Sequence, residues 1–403
     1  MEIRSTTEKD LDVFVDTVFA AFGKFPTPPE EDGSGVWWSA LEPERGLLAV
    51  TEDGRPVGTA CAYSFELTLP GGATVPVPGI SCVGVLPSHR RQGVLTAMKR
   101  RQLADLRERG EIMSVLLASE AVIYRRFGYG PATYSRRLTV PRNRAALAPS
   151  RAGEQPTGTV ELLRGSDCRD LLEQIYDRYR RAQPGALSRP PRWWARRAGH
   201  PPIAPTPRYI ALHRDADGTP DGYASYSLDD AGTLLVDETV ALDDAAFTAL
   251  ARCLLGHDLV TEVVFRHLPP GSPLPWQLAD FGAGRLDNHT DWLWVRLLDV
   301  PRALTARSWS ADGDLVLDVD DPFLGERTRH LLTVRDGRAE CTPTDREPDL
   351  SLDISDLGSI YLGGTTPSTL VRAGHIRAHH PAAAARADAM FRAEREPHCL
   401  HWF

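Results

Sequence analysis

The chain has 403 residues, a length that suggests about two or three domains. Hydrophobic residues make up 42% and charged residues 25%, close to soluble globular averages; this excludes a wholly disordered or collagen-like chain and leaves apolar material for more than one core. Lys plus Arg number 46 against 54 Asp plus Glu, a net charge of −8, which speaks against a general nucleic-acid or anionic-membrane binder.

Lys9, Lys24 and Lys99 are the only lysines. Arg carries nearly all the positive charge and Ala, Pro and Gly are abundant, the pattern of a GC-rich genome. Cysteines stand at 61, 82, 168, 253, 341 and 399. No pair has C-x-x-C spacing, so neither zinc nor a dithiol redox site is indicated, and free thiols in a reducing cytoplasm are expected. Met1 to Asp10 lacks the apolar stretch of a signal peptide. No apolar run approaches the about 18 residues of a membrane span, so a cytoplasmic location is expected.

In chain order, Ile3-Arg4-Ser5 reads as a short strand, and Thr6, Thr7 and Glu8 as a helix cap. The next helix carries Leu11, Phe14, Val15, Val18, Phe19 and Phe22 on one face. Leu47-Leu48-Ala49-Val50 and the run from Val57 to Leu69 flank Asp53-Gly54, a hairpin signal. After a turn at Pro70-Gly71-Gly72, Ile80 to Val85 reads as a buried strand stopped by Pro87. A helix then runs from near Gly93 to Arg109, Val115 to Ser119 forms another buried strand, and a short helix covers 121–127. The order is β-α-β-β-β-α-β-α, with a crossover helix between two strands that should pair in parallel.

The pattern restarts with Val160-Glu161-Leu162-Leu163 and an amphipathic helix from Cys168 to Arg181. Tyr209 to Leu212, Asp217-Gly218 and Gly222 to Ser227 parallel Leu47 to Val50, Asp53-Gly54 and Gly58 to Ser64, an internal duplication offset by roughly 160 residues. The Pro- and Arg-rich stretch Ser188 to Tyr209 reads as an irregular loop or insertion, with Trp193 and Trp194 either core anchors or a contact surface. A third unit opens near Trp292 to Arg296. Leu315 to Val319 and Leu350 to Ile354 alternate as strands, His330 to Val334 and the Asp336-Gly337 turn suggest a meander, and 382–394 is helical. This is an α+β pattern with no catalytic motif in its interior.

Val85-Leu86-Pro87-Ser88-His89-Arg90-Arg91-Gln92-Gly93-Val94-Leu95-Thr96 joins a strand to a helix. A helix N-terminus offers unpaired N–H groups and the positive end of the dipole. A small residue such as Gly93 lets a pyrophosphate approach the backbone, and Arg90 and Arg91 add charge. Further on stands Ala118-Ser119-Glu120-Ala121-Val122-Ile123-Tyr124-Arg125-Arg126-Phe127-Gly128-Tyr129-Gly130. Together these segments resemble the GNAT acyltransferase superfamily. Its R/Q-x-x-G-x-G/A motif matches Arg90 to Leu95, with Leu95 in the final small position, and its A-x-x-x-Y-x-x-x-G-F/Y motif matches Glu120 to Tyr129, with Glu120 where Ala is common. The match is closer to the Eis (enhanced intracellular survival) branch. It includes His89 to Met98, Ala118 to Thr133, Cys341 to Asp345, Leu357-Gly358-Ser359, Tyr361 to Gly364 and a terminal Phe403.

The resemblance implies an α/β (α+β) chain. Tandem GNAT-like mixed-sheet domains at 1–138 and 139–290 precede a C-terminal sterol-carrier-protein-like α+β domain at 291–403. It implies acetyl-CoA as co-substrate, no metal, a small-molecule amine partner, no nucleic acid or membrane partner, and a homo-oligomer, a hexamer built as a trimer of dimers. The pyrophosphate would rest on Arg91 to Thr96, that is Arg91, Gln92, Gly93, Val94, Leu95 and Thr96, beside Arg90. The pantetheine arm would pair with Val83, Gly84 and Val85 like an added strand, and Ser119 and Glu120 would line the far side. Tyr124 is the expected general acid and the terminal carboxylate of Phe403 the expected base, with His401 a second base candidate. In the second copy Asp243 and Asp244 fall near the places of Arg90 and Arg91, where carboxylates would repel a pyrophosphate, so only the first copy is expected to bind the donor.

Aminoglycoside-acetylating relatives place acidic groups in the acceptor pocket. Here Trp402 precedes the terminal Phe, and the loop after the first helix offers Lys24 within Ala21 to Phe25, with Glu30, Glu31 and Asp32 nearby and Trp37 and Trp38 as aromatic walls or core. An apolar or aryl amine is therefore an alternative to an aminoglycoside. A protein-lysine acetyltransferase and a non-catalytic apolar-ligand carrier or regulator are the other readings.

Overall fold

The computed structural model describes residues 1–24, 40–149, 158–164, 168–191, 193–194 and 208–403. Phe25, Glu30, Glu31, Asp32, Trp37 and Trp38 lie outside these residues, as does most of the Pro- and Arg-rich stretch. Met1–Thr133, Gln183–Ser188 and Trp292–Phe403 form one compact unit; Tyr134–Ala182 and Arg189–Asp291 form a second.

The first unit begins with β1 (Glu2–Ser5), α1 (Leu11–Ala21), β2 (Gly46–Val50), β3 (Pro56–Thr68), β4 (Thr74–Val85), α2 (Val94–Glu108), β5 (Met113–Leu117), α3 (Ala121–Tyr124) and β6 (Gly130–Pro131). This is the order read from the hydrophobic pattern. β1 to β4 run antiparallel, and β4 pairs in parallel with β5. The crossover helix α2 packs Val94 and Met98 with Ala49, Val57 and Ala60, and Leu103 and Leu106 with Ile80 and Leu116. Its buried positions, Val94, Met98, Lys99, Gln102, Leu103 and Leu106, fall one, three or four residues apart, so one stripe lies along the sheet.

The second unit repeats the plan with β7 (Tyr134–Pro141), β8 (Thr159–Arg164), α4 (Arg169–Ala182), β9 (Tyr209–Arg214), β10 (Pro220–Leu228), β11 (Thr233–Ala241), α5 (Asp244–Leu255), β12 (Glu262–Leu268) and β13 (Arg285–Asp291). Its sheet runs β13-β7-β12-β11-β10-β9-β8, with β11 and β12 parallel. The sequence duplication is thus a structural one. Trp193 and Trp194 are both buried, which settles them as core residues.

The chain continues with β14 (Leu293–Leu297), α6 (Val300–Ala306), β15 (Gly313–Asp321), β16 (Glu326–Arg335), β17 (Arg338–Pro343), β18 (Leu350–Asp353), α7 (Ile354–Tyr361), β19 (Arg377–Ala378) and α8 (Ala383–Phe391). Strand β14, which the sequence suggests as the opening of the third domain, sits in the first sheet between β5 and β6, giving the order β1-β2-β3-β4-β5-β14-β6. All five of its residues are buried, as an interior strand requires, but local pattern cannot say which sheet will take such a strand. Position 138/139, the expected first boundary, falls inside β7, which pairs with β12 and β13. The remaining strands form the sheet β17-β16-β15-β18-β19. Helix α7 is buried along its whole length. It lies directly on the first sheet, where a Cβ on Gly130 would meet the Ser355 carbonyl oxygen at 1.9 Å and one on Gly358 the Val295 carbonyl oxygen at 2.2 Å. None of the described helices is long and apolar enough to cross a membrane.

Candidate active site

The site begins where two parallel strands part. β4 and β5 pair only at Gly79↔Val115 and Ile80↔Leu116. Beyond Ile80, β4 continues to Val85 along β3 alone, and a bulge comes at once. Cys82 has φ 52°, the register with β3 shifts between Thr59 and Cys61, and Thr59 Oγ1 donates to the Cys82 carbonyl at 2.8 Å. Bulges bend a strand and re-aim its next residues. Here the bulge turns Val83, Gly84 and Val85 along one wall of a cleft of about 1110 Å³. The other wall is Ser119, Glu120, Ile123 and Tyr124.

The turn from β4 into α2 closes one end. Arg91 has φ 61° and Gly93 φ 83°. Only glycine occupies the left-handed region without steric cost, and Gly93 is the N-cap of α2, with no side chain capping it. The N-terminal N–H groups of α2 therefore face the cleft without a side-chain acceptor of their own, the arrangement that suits an anion. The second unit shows the contrast. Asp243 N-caps α5, its side chain accepting from the Ala246 N–H at 2.8 Å. The carboxylate expected to repel a phosphate already accepts from the helix's own N-terminus.

Of the residues singled out from sequence, Val83, Gly84, Val85, Arg90, Arg91, Gly93, Val94, Leu95, Thr96, Ser119, Glu120 and Tyr124 all line this cleft. Arg90 does so while tying the wall together: its guanidinium donates to the Ala21 carbonyl at 2.8 Å and the Val85 carbonyl at 3.2 Å. Gln92 is not among the lining residues and donates to the Ser88 carbonyl at 3.2 Å, bracing the turn.

Tyr124 ends α3 on the wall of the cleft and is buried, 7% exposed. Burial first, and then neighbouring Tyr129, push its phenol up to about 12. The two rings meet edge to face at 6.3 Å, and the Tyr129 hydroxyl pairs with Ser114 Oγ at 2.9 Å. Arg296 of β14 holds the turn after α3, donating to the Phe127 carbonyl at 2.6 Å and to Asp321 at 2.5 Å. Arg125 pairs with Asp356 of α7, whose side chain is 1% exposed, and lies 2.7 Å from His375 Nδ1. Burial raises the Asp356 carboxyl above its ordinary value although Arg125 opposes this.

Phe403 is not a lining residue of the cleft, but its ring is buried beside the point where the strands part. A Cβ on Gly79 would lie 2.9 Å from that ring and 2.5 Å from the ring of Phe65. Phe403 packs with Phe65 at 5.1 Å and edge-on to Tyr63 at 6.4 Å. His401, fully buried, stacks on Phe403 at 6.1 Å. Trp402 is 45% exposed and Lys24 is exposed.

Sequence reasoning missed several parts of the site. Arg126 lines the cleft, a further cation whose only signal was its place two residues after Tyr124; Phe22 and Gly23 line it too, from the Ala21 to Phe25 stretch assigned to the acceptor pocket only through Lys24. The bulge at Cys82 has no sequence signature, since a non-glycine residue at positive φ is uncommon. Lys99, fully buried behind Tyr124, sits on the inner face of α2, where an apolar residue would be expected.

Comparison with known proteins agrees with this geometry. The acetyltransferase (GNAT) domain family matches residues 2–132 and, through a second GNAT family, residues 185–297; a sterol carrier protein domain matches residues 300–400. An N-acetyltransferase of Streptomyces avermitilis is 39% identical over 376 residues, covering 91% of this chain and 90% of that protein. N-acetyltransferase Eis of Mycobacterium tuberculosis is 36% identical over 401 residues, covering 96% of each. The crystal structure of Eis1 from Mycobacterium abscessus superposes with a TM-score of 0.87 at 35% identity, covering 100% of both chains. The chain therefore belongs to the Eis family of GNAT N-acetyltransferases, acetyl-transferring enzymes whose fold implies acetyl-CoA as co-substrate.

Proposed function

We propose that this enzyme transfers the acetyl group of acetyl-CoA to a primary amine by direct attack, with Tyr124 as general acid and the terminal carboxylate of Phe403 as general base. The observation that carries the reading is the parted pair β4 and β5, with an uncapped helix N-terminus and a buried phenol both lining the gap. The donor's pyrophosphate would take the turn at Arg91 to Thr96, and its pantetheine amides the free edge of Val83 to Val85. The amine's lone pair attacks the thioester carbonyl carbon, and the carboxylate takes the ammonium proton. As the C–S bond breaks, its electron pair leaves on sulfur, which receives the Tyr124 proton. The buried Phe403 ring supports the base assignment, because docking the ring holds the chain end in a partly desolvated place.

For the acceptor we favour an apolar or aryl amine over an aminoglycoside. Trp402 and Lys24 stand where a polycation would need carboxylates, and the rings of Tyr63, Phe65 and Phe403 gather beside the splay point. A hexameric assembly is also proposed, and light scattering on the purified protein tests it. No disulfide joins the six cysteines, which fits a reducing cytoplasm.

Thiol release measured with 2-phenylethylamine and with amikacin decides the acceptor class. Tyr124→Phe tests the acid: kcat should fall about 100-fold with donor KM little changed. A full-speed Tyr124→Phe enzyme would remove Tyr124 from the chemistry.

A further inference from the structure

Lys99 is fully buried on α2, whereas Lys9 and Lys24 are exposed. Its ammonium donates to Gln102 Oε1 at 3.0 Å. It stands 5.7 Å from the centroid of the Tyr124 ring and 5.1 Å from that of Tyr129. Among the described residues no carboxylate pairs with it. Among the buried arginines, Arg296 is paired with Asp321 and Arg189 with Glu238, while Arg307, like Lys99, is held by neutral acceptors, the Tyr361 and Phe391 carbonyls. In a chain that uses arginine almost everywhere, the buried cation set against the Tyr124 ring is the kind that can shed its proton.

We propose that Lys99 is a positioning residue for the acetyl transfer: its ammonium, set behind the ring of Tyr124, strengthens that phenol as an acid while the thiolate departs. The inference rests on Tyr124 as the general acid. When the C–S electron pair passes to sulfur and sulfur takes the phenolic proton, a phenoxide remains. The Lys99 cation stabilises it until the proton taken up by the Phe403 carboxylate passes through water to the phenoxide, and no covalent change occurs at Lys99.

The need for such a charge comes from burial. A phenol raised to about 12 must protonate a thiolate whose conjugate acid lies near about 8.5, an uphill transfer that a nearby positive charge eases. The groups facing Lys99 are Gln102 on its own helix, Cys61 from β3, Tyr124 from α3, Tyr129 from the turn before β6 and Arg296 from β14. Burial, and then Arg296, bring Lys99 down to about 7, against a small opposing effect of Cys61. It is an ammonium below that value and an amine above it, so its help fades as pH rises through neutrality.

The test compares kcat of the full-length enzyme and its Lys99→Met, Lys99→Arg and Tyr124→Phe variants between pH 6 and pH 9, with saturating acetyl-CoA and 2-phenylethylamine. Dividing wild-type kcat by Lys99→Met kcat cancels the titration of the acceptor. The ratio should be about 10 at pH 6 and approach about 1 at pH 9. Lys99→Arg keeps its charge, so its ratio to Lys99→Met should stay level. A flat wild-type ratio with a slow Tyr124→Phe enzyme would overturn the role of Lys99 alone. A fast Tyr124→Phe enzyme would overturn the acid and Lys99 with it. Should Lys99→Met not bind acetyl-CoA, wild type against Lys99→Arg decides: parallel profiles overturn the proposal.

Discussion

Replacing Lys99 by Met exchanges a buried amine for an apolar chain of similar length, and the stability change can be worked from the structure. Burial lowers Lys99 from 10.5 to about 7. At about 1.4 kcal/mol per unit, holding that group inside the protein costs about 5 kcal/mol near neutral pH relative to leaving it in the unfolded chain. Met escapes this cost but leaves Gln102 Oε1, now bonded to Lys99 at 3.0 Å, without its donor, a loss of about 1–3 kcal/mol. The cation's contact with two tyrosine faces is lost as well, about 1 kcal/mol. The net expectation is a variant more stable by about 1–3 kcal/mol at pH 7. The sign of its pH dependence is set by linkage. Between the folded value near 7 and the unfolded value, the unfolded chain binds more protons, so wild-type stability rises with pH across that window and is level below it. The variant's advantage should therefore be widest at pH 7 and below, shrink as pH rises and pass to wild type by about pH 10, where the burial cost has fallen below the loss at Gln102. Urea unfolding followed by tryptophan fluorescence at several pH values measures it. Curves that stay parallel would refute the reasoning.

Three further substitutions probe the frame of the site. Gly93→Ala places a Cβ where nothing crowds it but φ is +83°; stability should fall by about 1 kcal/mol, and calorimetry should show weaker acetyl-CoA binding. Gly79→Ala would push a Cβ to within 2.5 Å of the Phe65 ring and 2.9 Å of the Phe403 ring. Overpacking should cost about 1–3 kcal/mol, and steady-state kinetics should show turnover falling more than donor affinity. Asp356→Ala removes the partner of Arg125 and the acceptor for the Asp353 N–H, costing about 1–3 kcal/mol in melting experiments and lowering kcat because Arg125 is the next residue after Tyr124. Asp356→Asn should recover most of both.

Much of this was legible in the sequence because local patterns carried it. The Asp53-Gly54 hairpin and the helix from near Gly93 to Arg109 rest on patterns of a few residues, the duplication on a repeat of such patterns, and each appears in the structure. Gly93 was legible for the same reason, since a glycine before a helix has a local meaning. The hidden features depend on distant partners. Trp292 to Arg296 reads as the opening of a third unit, but the insertion of Leu293 to Leu297 beside β5 is decided by pairing with residues far away in sequence. The bulge at Cys82 needs the register with β3. Lys99 looks like any surface cation of a charged helix until α3 and β14 close over it. Asp243 was read as a repelling charge, and the structure adds the nearer reason, a carboxylate that caps its own helix.

The most direct test of the account appends a single glycine after Phe403. The ring can still dock against Gly79, Tyr63 and Phe65, but the terminal carboxylate moves on by about 3.5 Å and an amide replaces it. Turnover of acetyl-CoA with 2-phenylethylamine should fall by about 100-fold or more while acetyl-CoA binding, measured by calorimetry, stays as in wild type. Undiminished turnover in the extended chain would contradict the claim that the last carboxylate takes the proton.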